Sequence, residues 1–529
     1  MKRPFRGLRR EPPRGRYDAV VIGAGVGGLV CANLLAREGL SVLLLEQHYM
    51  VGGYCSTFRR AGYTFDAASH FYPLLGNPET LTGRLLADLG VTTGWIRMDP
   101  VDTFHLPDGT RFEVPAEFAP YRAKLDAEFP GQRAALDRFF EAVREAYLAG
   151  LLAYFRGRAT PRFERWRALS VRDALDRFFD DRRLKLLLTA DCPHWGSPPA
   201  RTSFVFDSML RLSYFLGNYY PAGGSQAFAD ELALRFEERG GDILMSTRAE
   251  RIEVEDGAAR AVEIETLRGP LSGRRRVAAG SVIANGDLRD LCRRLIGPGR
   301  LDPGYLAGLD RLRPSMPCFL THVGLEGMAR ADLERAQGYY WDGWDPDLVG
   351  EGALRCKVFV PTLYEPAMAP PGGDIVVLQK VLAMDCDAVA AMDRDPTAHK
   401  AAVERITFER LREVLPGIDQ RIVVRLSASA ATARRFTLND QGAMLGWEMA
   451  PDQLGDDRPD TAFPVAGVHL VGHWTRPGGG ITPVMLSALR VAEAVTGTSQ
   501  ASATAAAALP ADLLRALRGG AGEPAAEAV

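Results

Sequence analysis

The first regular pattern in the chain is a short, mainly apolar run with one acid, Tyr17-Asp18-Ala19-Val20-Val21-Ile22-Gly23. It is too short for a stable helix and does not alternate, so it predicts a parallel strand over 17–23 buried on both faces. Residues 26–38 carry apolar side chains at helical spacing and stop at Gly39, and 41–46 (Ser-Val-Leu-Leu-Leu-Glu) repeat the strand pattern. Strand, helix and strand with short loops make a βαβ unit, whose right-handed crossover implies a parallel sheet. From about 80 to 215 the pattern is mostly helical. The paired aromatics Phe139-Phe140 and Phe178-Phe179 in it are expected in a core, with the lining of an apolar tunnel as the alternative. At 221–262 the α/β pattern returns. A turn at Pro221-Ala222-Gly223-Gly224-Ser225 leads to an amphipathic helix 226–239, which Gly240-Gly241 ends; strand-like runs follow at 243–246 and 249–255, then an Asp256-Gly257 turn. Ser281–Asn285 reads as a further buried strand, and 310–420 as a second mixed block. Residues 467–497 read as a strand, a glycine-rich loop and a helix over 483–497. Residues 500–529, rich in Ala, Gly, Pro and Glu, are expected to be a disordered tail with a short helix at 510–518. No internal repeat is found.

Composition narrows the partners more than the fold. The 529 residues amount to three or four domains' worth of chain, 47% hydrophobic and 25% charged. A formal net charge of −2 gives no electrostatic reason to expect a nucleic acid. Seven cysteines form no C-x-x-C pair, which reads as free thiols in a reducing compartment. The first sixteen residues carry Lys2, Arg3, Arg6, Arg9, Arg10, Arg14 and Arg16 against Glu11. They read as a solvated basic arm, with a weak tether to anionic lipid as the alternative. No apolar run approaches the roughly 18 residues that span a bilayer. The expected location is the cytoplasm, with peripheral contact on the inner face of the membrane left open, as is the oligomeric state.

The chemistry begins at Gly23-Ala24-Gly25-Val26-Gly27-Gly28, a G-x-G-x-x-G that ends a strand and opens a helix. Gly23 permits the tight turn, Gly25 lets a pyrophosphate approach the backbone, and Gly28 lets the helix pack closely on the sheet. The helix N-terminus offers N–H groups and a positive dipole to the phosphates. Glu46 ends the next strand, eighteen residues after Gly28. Its carboxylate suits ribose hydroxyls and repels a 2′-phosphate. Two further features stand apart from this unit. One is the paired Gly52-Gly53 followed by Tyr63-Thr64-Phe65-Asp66. The other is the late run Gly467-Val468-His469-Leu470-Val471-Gly472-His473-Trp474-Thr475-Arg476-Pro477-Gly478-Gly479-Gly480-Ile481-Thr482-Pro483. No Ser/His/Asp or metal-ligand constellation stands out, and His194 beside Cys192 does not make a metal pair.

Taken together these segments resemble the phytoene desaturase family of flavoproteins, which includes bacterial carotenoid desaturases, carotenoid cis–trans isomerases and retinol saturases. The likeness runs through Tyr17–Asp66, Pro221–Ser225, Val282-Ile283-Ala284-Asn285-Gly286-Asp287, Arg435–Trp447 with its closing Gly446-Trp447, and Val471–Leu489. Two places differ from the commonest members. After Asp66 the chain reads Ala67-Ala68-Ser69-His70-Phe71-Tyr72, where many carotenoid desaturases have a glycine two residues on and no histidine, and retinol-saturase-like members carry a His-Tyr pair. His473 stands where relatives often have an acid or a small residue.

The resemblance implies an α/β, two-dinucleotide-binding-domain flavoprotein: a Rossmann-like FAD domain with an inserted mixed α+β substrate domain. The FAD domain is expected at 17–79, 221–300 and 421–499, and the substrate domain at 80–220 and 301–420. FAD is the implied cofactor, since in such flavoproteins a paired glycine follows the ribose acid. The implied contacts are Gly23, Ala24, Gly25, Val26, Gly27, Gly28, Glu46, Gln47, Gly52, Gly53, Ala249, Gly472, His473, Gly480, Ile481 and Thr482. The loop before the last helix would put N–H groups and a helix dipole near the pyrimidine end of the flavin. His70 is the candidate catalytic residue, through contact with substrate or flavin. The implied activity is dehydrogenation of carbon–carbon bonds in a long apolar isoprenoid or carotenoid. The alternatives are cis–trans isomerisation, reduction of a polyene, amine oxidation, and a non-catalytic role as an isoprenoid-lipid carrier.

Overall fold

The computed structural model describes residues 12, 14–156, 159–268, 273–349, 355–382 and 394–498. The greater part of the basic arm and the whole tail with its helix at 510–518 lie outside the described residues.

Two seven-stranded sheets organise the chain. The first is built on the expected βαβ unit: strand Arg16–Ile22, helix Val26–Arg37 and strand Val42–Leu45. The two strands pair in parallel, Ala19 beside Val42 through Ile22 beside Leu45. Asp242–Leu244 extends the sheet in parallel beyond Val42–Leu45. On the other side of Arg16–Ile22 lies Gly273–Ala284, a strand that serves two neighbours. Its first half runs antiparallel to Ala258–Thr266, which in turn pairs with Thr247–Glu255. Its second half runs parallel both to Arg16–Ile22 and to Val468–Leu470, so the last strand of the chain closes beside the first unit. The apolar pattern marks only the end of this strand, over 281–285. The rest carries Arg274, Arg275 and Arg276 on a ribbon exposed to water, where no apolar run is required.

The second sheet has the order Ile422–Ala428, Cys318–Glu326, Gly373–Val381, Cys356–Phe359, Gly338–Tyr340, Asp102–His105, Arg111–Val114. Asp102–His105 and Arg111–Val114 form a hairpin, and Asp102–His105 joins the sheet in parallel beside Gly338–Tyr340. Three short strands therefore stand within the stretch that periodicity marks as mostly helical: Trp95–Arg97 and this hairpin. Runs of three or four residues are too short to show a period, and the partners of Trp95–Arg97 and the sheet neighbour of the hairpin lie more than a hundred residues away. Ile422–Ala428, assigned by sequence to the FAD domain, is hydrogen-bonded along the edge of this second sheet. The helices of 118–215 pack over one end of it. Phe139, Phe140 and Phe179 are buried in their core, and Phe178 packs against it. Among the described residues no helix is long and apolar enough to cross a membrane.

Candidate active site

The loop after the first strand is held from three sides. Gly23 has a φ of +102° and its N–H donates to the Leu45 carbonyl at 2.8 Å. Helix Val26–Arg37 follows at once, with Gly25 as its N-cap and no side chain capping it. Its first N–H groups are thus left for a ligand. A Cβ at Gly28 would stand 2.1 Å from the Gly23 carbonyl oxygen, so only glycine lets the helix start against the strand end. Beneath the loop lies Asn285, the residue after strand Gly273–Ala284. Its Nδ2 donates to the Gly23 carbonyl at 3.1 Å. Its side chain also lies within 3.2 Å of where a Cβ would be at Gly25, Gly27, Gly28 and Gly472. Sequence reasoning quoted Asn285 only as part of a strand ending. The signal for its role was a polar residue ending an apolar strand in a chain with two separate clusters of glycines.

Glu46 is buried, and its two oxygens accept from the N–H of Ala24 and the N–H of His48, each at 2.8 Å. Burial pushes its carboxyl up to about 7. The Thr247 N–H donates to the Glu46 carbonyl at 2.8 Å, which brings the start of strand Thr247–Glu255, and so Ala249, alongside. Gly52 donates to the Ala24 carbonyl at 2.7 Å, and a Cβ at Gly53 would come within 3.3 Å of the Gly25 Cα. The Gln47 side chain donates to the Phe436 carbonyl at 3.2 Å.

The late loop returns to the same end of the sheet. The Val471 N–H donates to the Ala284 carbonyl at 2.9 Å and the Gly472 N–H to Ser487 Oγ at 2.9 Å. The last helix is Ile481–Thr496 rather than 483–497; Pro483 sits in its first turn, where no intrahelical donor is lost. Its N-cap, Gly480, carries no side-chain cap either, so a second helix N-terminus is open. The Thr482 hydroxyl donates to the Pro73 carbonyl at 3.2 Å, which links this loop to the segment containing His70. His473 is half-buried, 3.4 Å from Asn439 Oδ1, and burial lowers it to about 3, so its ring is neutral.

His70 lies between this loop and the second sheet. Its Nδ1 is 2.9 Å from the Ala68 carbonyl, which makes it the donor, and its buried Nε2 has no partner among the described residues. Burial, reinforced by Lys357, holds the ring well below the ordinary histidine range. His70 therefore offers a bare acceptor. It stacks on Phe359 at 4.9 Å. Asp66, earlier in the same segment, accepts from the Ser225 N–H at 3.0 Å and from the Tyr220 hydroxyl, and so anchors the helix Ser225–Glu238. On the facing sheet Leu320, Phe359 and Val377 are buried apolar residues, with Cys318, Leu426 and Ala428 only partly covered, and Phe71 of the His70 segment packs against them. Three polar side chains, Gln379, His322 and Lys357, interrupt this apolar face, and one of them is charged. Lys357 is buried, 3.1 Å from Asp102 Oδ2, with its ammonium 3.4 Å from the Phe71 ring centre. A single lysine in the apolar run Cys356-Lys357-Val358-Phe359-Val360 was the available signal, and sequence reasoning passed over it. Among the described residues no group of three or more His, Cys, Asp or Glu could hold a metal ion.

This arrangement fits FAD. Two helix N-termini stand open for the pyrophosphate and the flavin ring. Gly25, Gly27, Gly28 and Gly472 leave the loop backbone bare, since any Cβ there would crowd the Asn285 side chain. A buried carboxylate is placed for ribose hydroxyls, whose donated hydrogen bonds would offset its burial. The flavin containing amine oxidoreductase family matches residues 26–496. The chain is 26% identical over 515 residues to a neurosporene-forming phytoene desaturase of Rhodobacter capsulatus, covering 93% of this chain and 96% of that one. It is 26% identical over 502 residues to a chloroplastic prolycopene isomerase of Daucus carota, covering 90% and 80%. It is 30% identical over 275 residues to an all-trans-retinol 13,14-reductase of Danio rerio, covering 48% and 45%. Among solved structures, an oxidoreductase from Methanosarcina mazei superposes with a TM-score of 0.64 at 18% identity, covering 90% of this chain and 99% of that one. Putrescine oxidase bound to putrescine superposes with a TM-score of 0.62 at 16% identity, covering 91% and 99%. The non-catalytic carrier reading falls with these matches. The chain belongs to the flavin containing amine oxidoreductase family and is an FAD-dependent oxidoreductase of the carotenoid desaturase, isomerase and retinol reductase type.

Proposed function

We propose that the chain dehydrogenates carbon–carbon bonds of a long apolar polyene of the isoprenoid or carotenoid class. The observation that carries this reading is the inward face of the second sheet. It sets Leu320, Val377, Leu426 and Ala428 opposite the segment 66–72 that Thr482 ties to the cofactor loop. A flexible hydrocarbon needs such a surface and few polar contacts. Bound FAD supplies the hydride acceptor. The protein's part is to hold the chain against the flavin, exclude water and manage the proton. The matched phytoene desaturase covers nearly the whole chain, which supports desaturation. Reduction of a polyene is the second reading, favoured by the unpartnered His70 Nε2, an acceptor that a substrate hydroxyl would fill and a plain hydrocarbon would not.

An amine substrate is less well served. Binding of an ammonium would call for open aromatic faces. The rings of Phe71 and Tyr339 already face the Lys357 ammonium at 3.4 and 4.4 Å.

The test is to incubate the FAD-loaded protein with a phytoene-type polyene, a poly-cis carotenoid and a retinoid alcohol, and to follow product mass. Loss of two hydrogens per event is expected. Gain of two hydrogens from the retinoid replaces desaturation with reduction. An unchanged mass with a new cis/trans pattern replaces it with isomerisation. Turnover of amines and of no polyene overturns the polyene class.

A further inference from the structure

Where the helical layer meets the inward face of the second sheet, five charged side chains are buried together: Lys357, Asp102, Asp191, Asp207 and Arg211. Lys357 pairs with Asp102 at 3.1 Å, and Arg211 with Asp207 at 2.7 Å. Asp191 is held by neutral donors: its Oδ2 accepts from the Trp195 indole and from the Tyr214 hydroxyl, each at 3.2 Å.

An unbroken line of hydrogen bonds joins Lys357 to Asp191. Lys357 Nζ is 3.2 Å from the Tyr339 hydroxyl, and that hydroxyl is 2.6 Å from His194 Nδ1. His194 Nε2 is 2.6 Å from the Tyr214 hydroxyl, which reaches Asp191. Each of the three middle groups can both donate and accept. The line therefore has two complete arrangements. In one, Lys357 is an ammonium, His194 carries its proton on Nε2, Asp191 is a carboxylate, and every donor points from Lys357 to Asp191. In the other, every donor points back, His194 carries its proton on Nδ1, Asp191 is a carboxylic acid and Lys357 is an amine. The two differ by one proton moved from end to end.

The charges show which way the line is poised. Fully ionised, two cations and three carboxylates leave one net negative charge in a dry interior. Moving a proton from Lys357 to Asp191 leaves that net charge unchanged and only relocates it, so the surroundings of the two ends decide where the proton rests. Asp191, the carboxyl without a paired cation, is the one to take that proton. Burial moves both ends toward exchange, raising Asp191 above the ordinary carboxylate range and lowering Lys357 to about 8.

The Lys357 end meets the candidate active site. Phe71 lies over its ammonium and stacks on His194 at 5.5 Å. Phe71 is only partly buried, directly follows His70, and belongs to the segment that Thr482 ties to the cofactor loop. It is the side chain that must turn aside for Lys357 to meet a substrate.

We propose that this line is the proton store of the active site: Lys357 passes a proton through Tyr339, His194 and Tyr214 to Asp191, and the resulting amine takes the proton that the substrate loses beside Phe71. The bookkeeping closes within the flavin chemistry. Bound FAD would supply the acceptor for the hydride, with its electron pair, that one C–H bond loses. The neighbouring C–H bond gives its proton to the Lys357 nitrogen, and its electron pair becomes the new π bond. Run in reverse, Lys357 supplies the proton for a reduction. The use of the store rests on the polyene reading; its existence does not.

Infrared spectroscopy of the FAD-loaded protein reads the store without substrate. The wild type should show the carbonyl band of a buried carboxylic acid, growing in as pH falls through a range above that of an ordinary carboxylate. Asp191→Asn should lack the band. Tyr339→Phe keeps Lys357, Asp102 and the ring but cuts the line, and should move the band's midpoint. A wild type without the band, a band retained in Asp191→Asn, or a midpoint unmoved in Tyr339→Phe overturns the store. With a polyene that turns over, Tyr339→Phe and Tyr214→Phe should lower kcat about a hundredfold with KM little changed, and should alter the solvent deuterium isotope effect. Unaltered kcat in both overturns the catalytic use. Failure of every polyene to react overturns the substrate reading and leaves the store to stand or fall on the band.

Discussion

Asn285 Nδ2 donates to the Gly23 carbonyl at 3.1 Å, tying the end of strand Gly273–Ala284 to the turn that opens the cofactor loop. The bond uses a carbonyl on the strand side and leaves the N–H groups of the helix start uncapped. The same side chain is packed by Gly25, Gly27, Gly28 and Gly472, so it joins the first unit of the chain to the last. Asn285→Ala should weaken FAD binding about tenfold, the loss of one hydrogen bond and its packing. Asn285→Asp should weaken it further, since it removes the donor and sets a negative charge beneath the pyrophosphate. Titration of the apoprotein by flavin fluorescence measures both. An Asp variant that binds as tightly as wild type would remove Asn285 from the site.

Gly28 makes the sharpest steric demand in that loop. A Cβ there would meet the Gly23 carbonyl oxygen at 2.1 Å, a backbone atom that cannot swing away. Gly28→Ala should therefore give protein without bound flavin, either misfolded or with the helix displaced from the strand end. Absorbance of the purified variant decides it: a full complement of flavin would show that the helix start has more room than this geometry allows.

Glu46 should make FAD binding depend on pH. Folding without ligand raises its carboxyl from the ordinary carboxylate range to about 7, because burial outweighs the two N–H donors. The folded apoprotein thus holds this proton more tightly than the unfolded chain. The stability this group contributes is present below the ordinary carboxylate value and is lost as pH rises through about 7. Ribose hydroxyls that donate to the carboxylate reverse the preference. FAD affinity should rise as pH increases through about 7, and Glu46→Gln should flatten that rise. Equal slopes in the wild type and the Gln variant would place the titration elsewhere.

The contrast between these residues and Lys357 marks what a sequence can carry. Gly23–Gly28 and Glu46 belong to one strand–helix–strand unit and Gly52-Gly53 follows it within a few residues, so their chemistry is written at short range in glycine spacing and apolar runs. Gly480–Thr482 were legible for the same reason, as a glycine loop opening an apolar helix. The polar line is different. Asp191 and His194 share one turn, but Asp102, Tyr214, Tyr339 and Lys357 come from other elements, and only the pairing of Asp102–His105 with Gly338–Tyr340, and of Cys356–Phe359 with its neighbours, brings them together. Asp102–His105 and Gly338–Tyr340 are too short to announce themselves, and nothing local ties His194 to two tyrosines. His194 was weighed only against Cys192, the neighbour that sequence supplies.

The Lys357–Asp102 pair should prove costly to break and cheap to replace. Lys357→Met leaves Asp102 buried and unpaired, a loss of about 3–5 kcal/mol in unfolding free energy. That loss should shrink as pH falls and Asp102 takes up a proton. Lys357→Met with Asp102→Asn should recover most of it, since neither charge then needs solvation. The wild-type pair also has a pH signature. Folding raises Asp102 to about 6, so its contribution, present in acid, is lost as pH rises through about 6. Folding lowers Lys357 to about 8, so its contribution, present in strong alkali, is lost as pH falls through about 8. Both losses overlap between about 6 and 8, where both groups are charged. The stability of the double variant relative to wild type should therefore be greatest in that window and decline on either side. Denaturant unfolding of both proteins across pH measures the difference, and a flat profile would mean that the buried pair is fully compensated by its surroundings.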